Sequence, residues 1–127
     1  MTERPATGTV VPRMARKLVL LAFLLAGCSK GPQADLQSIS QARSAAAEWA
    51  LVNEQAGRGR LNSTYVASMH YWLREELRTA SQSLTQPDSR YGEQVRELLR
   101  QPDDAAPEAL RARAEELKRE EDSLESA

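Results

Sequence analysis

From residue 36 onward, apolar positions recur at helical spacing, and no stretch alternates as a strand would. Leu36, Ile39, Ala42, Ala46, Trp49 and Ala50 form one face of "LQSISQARSAAAEWALVNEQA". Asp35 stands where a helix cap is expected, and "GRGR" at 57–60 breaks the pattern. The alanines favour helix and let a neighbouring helix come close. Val66, Met69, Leu73, Leu77, Ala80 and Leu84 then step by 3, 4, 4, 3 and 4, the cleanest stripe in the chain. Ser63 or Thr64 is expected to cap this second helix. Trp72 adjoins its stripe, where it could pack against Trp49. The short connection between the two helices predicts an antiparallel hairpin.

"TQPDSRYG" interrupts again. Pro87 ends what precedes it, and Asp88 or Ser89 is placed to cap a third helix. Tyr91, Val95, Leu98 and Leu99 give that helix one apolar face, and Pro102 with "DDAA" closes it. Pro107 suits the first turn of a fourth helix, whose positive end Glu108 and the nearby aspartates complement. Leu110, Ala114, Leu117 and Leu124 make a narrow stripe there, with Glu121 where a further apolar residue would fall. The expected fold class is all-α: a small bundle of three to four helices built on the antiparallel hairpin.

A different pattern precedes residue 28. Leu18 to Ala26 reads "LVLLAFLLA", nine apolar residues in a row, after Arg13, Arg16 and Lys17 and before the small Gly27. A membrane span needs roughly 20 apolar residues, and Lys30, Gly31 and Pro32 end this run too soon. A buried core helix should show a polar face, and this run has none. Basic flank, apolar run and small residues together are the signature of a secretory signal peptide. From Met14 the leader has the usual compact proportions, so translation is expected to begin at Met14 rather than Met1.

Leu25-Ala26-Gly27-Cys28 resembles the lipobox of bacterial lipoprotein precursors, and the likeness covers residues 14–29. The resemblance implies that Cys28 receives a diacylglyceryl group, with Leu25, Ala26 and Gly27 as the recognition residues of the peptidase that cuts before it. It also implies an anchor in the lipid bilayer of the cell envelope. One acyl chain binds only marginally, whereas two or three hold a protein at the membrane. Ser29 follows the cysteine in place of the aspartate that favours inner-membrane retention in enteric lipoproteins, so the outer membrane, facing the periplasm, is expected. The chain then divides into a signal peptide (1–27), the lipidated cysteine with a short linker (28–34), a helical domain (35–102) and an acidic C-terminal helix (103–127). Seven steps from Cys28 to Asp35 span at most about 25 Å.

Charge and composition narrow the function. The chain has 127 residues with 17 basic and 18 acidic groups. Residues 1–27 hold four basic residues and Glu3, leaving 13 basic and 17 acidic residues in 28–127, a net of −4. That body has no broad basic surface, so no nucleic-acid partner is expected. One cysteine excludes an internal disulfide and a multi-cysteine metal site, and the single His70 excludes a two-histidine site. No metal or other cofactor is expected.

His70-Tyr71-Trp72 is the most suggestive local cluster. His70 could act in acid–base chemistry, but without a companion the expected reading is a partly buried or surface histidine. Glu75-Glu76 and Glu115-Glu116 are adjacent, so on a helix they do not share a site. Glu120-Glu121-Asp122 reads as a solvated run. Arg58 and Arg60 could meet lipid phosphates, but an exposed turn is the plainer reading. From Asp103 to Ala127 there are nine acidic and four basic residues, which reads as a solvated face or, less simply, as a partner-binding helix. Large apolar residues are few for the size, and small domains of this kind are marginally stable. A protein partner or self-association is therefore expected. The sequence supports a membrane-anchored lipoprotein in a binding or structural role, the alternative being a regulatory or entry-exclusion-type lipoprotein of a mobile element. No catalytic residues are assigned, and an enzyme is not expected.

Overall fold

The computed structural model describes residues 31–127. Pro32–Asp35 make a single 3-10 turn that runs straight into helix α1, Leu36–Gly57. Three further helices follow: α2 at Ser63–Ser83, α3 at Arg90–Arg100 and α4 at Pro107–Glu125. The all-α expectation holds, and there is no strand among the described residues.

Each helix end has a local cause. α1 stops in a Schellman turn: Gly59 N–H donates to Ala56 O at 3.0 Å and Arg60 N–H to Gln55 O at 3.0 Å. Gly59 takes φ +70° there, a backbone that side chains disfavour. α2 is capped by Asn62, not by Ser63 or Thr64. Asn62 is extended, and its side-chain oxygen accepts from Tyr65 N–H at 2.8 Å. Ser63 and Thr64 fall instead within the first turn. Ser89 caps α3, its hydroxyl accepting from Gly92 N–H at 3.2 Å, and Pro107 opens α4 as expected.

The alanine-rich α1 is the central element. Ile39, Ala42, Ala45, Ala46, Trp49, Ala50 and Val52 are buried over a wide arc. α2 and α4 both pack along α1, and α3 closes against α2 and α4. The hairpin of α1 and α2 is antiparallel: the start of α1 lies beside the end of α2, and Asn53 near the end of α1 meets His70 in the first half of α2. The second-helix stripe points inward at Leu73, Leu77, Ala80 and Leu84, with Val66 and Met69 at its edge. Burying each of the larger side chains contributes about 1.5–3 kcal/mol.

Packing in the bundle crosses two of the expected boundaries. α4 lies on the bundle through Leu110, Ala114 and Leu117, and residues 31–127 are one compact unit, so the division at 102/103 cuts through a shared core. Residues 31–34, expected as linker, also pack on the bundle. The 3-10 turn packs on α1 and α4, and Thr85 Oγ1 donates to Gly31 O at 3.2 Å. The bundle therefore includes Gly31 and the turn that precedes α1.

Candidate functional site

Leu25, Ala26, Gly27 and Cys28 lie outside the described residues, as does the whole leader. Within the bundle, the cluster His70-Tyr71-Trp72 sits on α2, where successive side chains diverge by about 100°. His70 turns inward. Its Nε2 lies 2.8 Å from Asn53 Oδ1, and its ring is 6.3 Å from that of Trp49. Tyr71 and Trp72 point outward, 58% and 64% exposed, and meet edge to face at 5.4 Å. The expected Trp49–Trp72 contact is therefore absent. Leu73, one residue on, occupies the core position, which turns Trp72 away from α1.

Trp49 belongs to a different assembly, which fixes the loop between α3 and α4. Its Nε1–H donates to Asp103 O at 2.9 Å. Asn53 Nδ2 donates to Asp103 O at 2.9 Å and to Ala105 O at 2.8 Å. With both amide hydrogens used, Asn53 Oδ1 is an acceptor, so His70 Nε2 carries the hydrogen it donates. Arg74 completes the set. It donates to Asp103 Oδ1 at 2.7 Å, Leu99 O at 3.1 Å and Gln101 O at 2.5 Å, and its guanidinium lies 4.9 Å from the Trp49 ring centroid.

An open groove of about 590 Å³ runs over this assembly, walled by Leu61, Val66, His70, Tyr71, Arg74 and Asp103. A smaller hollow of about 280 Å³ shares Val66 and His70 and ends on Ala105 and Pro107. His70 is oriented by an amide and an indole, and Arg74 is committed to two carbonyls and a carboxylate. This geometry holds residues 99–105 in place. Among the described residues, no three His, Cys, Asp or Glu side chains gather as a metal site requires.

The acidic residues divide among separate cations. Glu75 pairs with Arg78, Glu120 lies 3.6 Å from Arg90, and Asp122 lies 3.1 Å from Lys118. Glu121 corrects the reading of 120–122 as a solvated run. It is buried where the α4 stripe meets α1, and Arg43 Nε donates to its Oε2 at 2.7 Å. Arg58 and Arg60 are exposed in the turn after α1. Arg58 pairs with Glu54 at 3.0 Å. The 22 residues of α1 place that turn about 33 Å from the start of the helix.

One constellation escaped the sequence. Asp35 holds the N-cap position of α1 but makes no cap hydrogen bond; it is fully buried, and its carboxylate receives Thr85 N–H at 2.7 Å, Gln86 N–H at 3.1 Å and Tyr91 Oη–H at 2.6 Å. Burial pushes the Asp35 carboxyl up, but the hydrogen bonds from Tyr91, Thr85 and Gln86 outweigh it and hold the pKa below its ordinary value. Burial and the bond to Asp35 raise Tyr91 in turn. Partners 50 or more positions away leave no local signal in the sequence. Compared with known proteins, the chain matches no family model, no curated protein and no solved structure.

Proposed function

We propose that this chain is a bacterial envelope lipoprotein, cut before Cys28 and lipidated on it, whose helical bundle serves a binding or structural role at the periplasmic side of the outer membrane. The observation that carries this reading is Leu25-Ala26-Gly27-Cys28 at the end of a charged, then apolar leader. Two features support it. The lipobox cysteine is the only cysteine in the chain, so it has no disulfide partner within it. Among the described residues no helix is long and apolar enough to cross a membrane, so none of them competes with the acylated cysteine as an anchor.

The anchor holds the bundle close. Gly31 packs on the bundle, and three steps separate it from Cys28, at most about 11 Å of extended chain. A reach that short suits a partner at the same membrane. Metabolic labelling with palmitate tests the anchor. Cys28→Ser should abolish both labelling and cleavage of the leader; normal processing of that variant would overturn the proposal. Crosslinking from membranes then identifies the protein partner, and recovery of no partner and no self-adduct would remove the binding role.

A further inference from the structure

α2 has an unusual outer surface. From Asn62 to Trp72 it carries no lysine, arginine, aspartate or glutamate. Its outward positions there, Thr64, Tyr65, Ala67, Ser68, Tyr71 and Trp72, are all exposed. Three of the four exposed large hydrophobic residues among those described are in this set, and the fourth, Leu51, shares a hollow with Tyr65. The outer positions of α3 and α4 are by contrast studded with charges, such as Glu93, Arg100, Arg111, Glu115 and Lys118.

We propose that this uncharged aromatic face of α2 rests on the surface of the bilayer that holds Cys28, with Tyr71 and Trp72 in the headgroup layer. The inference deepens the lipoprotein reading and rests on it for the anchor. Tyrosine and tryptophan combine an apolar body with a polar tip, and both concentrate at membrane–water interfaces. The stretch laid down, Asn62 to Trp72, carries no full charge, and in the turns that follow toward Ser83, Glu75 and Arg78 pair with each other while Glu76 faces solvent. Residues 28–127 are net acidic, so the contact does not depend on attraction to anionic lipid. The chain before the fold supplies the geometry. Gly31, at most about 11 Å from Cys28, is tied by its carbonyl to Thr85, just past the end of α2. Eleven residues, about 17 Å of helix, separate Trp72 from Ser83 at that end. Gly31 and the aromatic face therefore lie along one helix, and with α2 inclined to the membrane the short reach from Cys28 keeps both close to it.

The chain has two tryptophans, Trp49 buried and Trp72 exposed, which makes the test spectroscopic. The chain from Cys28 onward, whose bundle has its own core, is coupled through its sole cysteine to a maleimide phospholipid in phosphatidylcholine vesicles. Half the vesicles carry bromine on their acyl chains. Expected is a loss of emission in brominated vesicles that disappears in Trp72→Phe, since Trp49 stays out of reach. Equal emission in both vesicle types overturns the proposal. So does shielding of Trp72 from iodide that grows with protein density without any bromolipid quenching, because that marks a second copy on this face. Chemical coupling bypasses cellular lipidation, so failure of palmitate labelling at Cys28 would remove the lipoprotein reading and leave this result separately legible.

Discussion

Tyr91 donates a 2.6 Å hydrogen bond to the buried carboxylate of Asp35, joining the first turn of α3 to the start of α1 across 56 positions of sequence. The same carboxylate receives two backbone N–H groups of the loop between α2 and α3. Asp35→Asn keeps the volume but loses the charge and turns an amide donor toward one of those donors. A cost of about 2–3 kcal/mol is expected by urea unfolding at neutral pH. The pH dependence has a definite sign. The folded pKa of Asp35 is depressed, so its contribution is present above the unfolded value of about 4 and is lost as pH falls through the folded value. The gap between wild type and Asp35→Asn should therefore narrow below about pH 4. A constant gap down to the acid limit would contradict the clamp.

Gly92 shows a second constraint close by, set by the turn just before α3. A methyl group on its Cα would sit 2.2 Å from Pro87 O, a backbone atom that cannot step aside. Glycine to alanine inside a helix ordinarily stabilises by about 0.5–1 kcal/mol. At Gly92 the sign should reverse, with a loss of about 1–3 kcal/mol from overpacking. Gly57, the last residue of α1, has open space around the same position. Gly57→Ala should be neutral or stabilising, and the two urea midpoints should move in opposite directions.

Much of this architecture was legible in the sequence because it is local. Helical spacing fixed the inward faces of Leu73, Leu77 and Leu98, and Ser89 and Pro107 marked helix starts by chemistry confined to one turn. Asp35 shows the limit of local chemistry. Its position before an apolar stripe is that of a cap, yet its partners come from residues 85–91, which spacing does not register. Trp49 and Trp72 show the angular limit. One residue of phase on α2 separates core from solvent, and Leu73 decided which way the tryptophan faced. Helical spacing also left Asn53 and Arg74 unremarked, since their targets are main-chain carbonyls of a loop.

Glu121 has only 9% of its surface exposed and pairs with Arg43, whose side chain stays 31% exposed. Leaving the carboxylate without its cation should be costly: Arg43→Met is expected to destabilise by about 1–3 kcal/mol. Replacing both partners is a different experiment. Glu121→Leu with Arg43→Met restores an apolar stripe on α4 and should fall within about 1 kcal/mol of wild type, or above it. Thermal unfolding of the singles and the double closes the cycle. A double variant as unstable as the sum of the singles would show that the ion pair is not what the two sites share.

Arg74 holds the loop between α3 and α4 through a planar fork. It reaches two carbonyls and a carboxylate, and its guanidinium lies close to the Trp49 ring. A lysine ammonium is a compact point charge and cannot satisfy three acceptors in one plane. Arg74→Ala is expected to cost about 2–3 kcal/mol, and Arg74→Lys should recover only part of that despite keeping the charge. Amide hydrogen exchange adds a readout specific to the loop. Ala105 N–H, bonded to Pro102 O at 3.0 Å, should exchange faster in both variants, while core amides such as those of Leu73 and Leu77 keep their protection relative to global stability. If Arg74→Lys matched wild type in both stability and exchange, charge alone would account for Arg74, and the fork geometry would have no role.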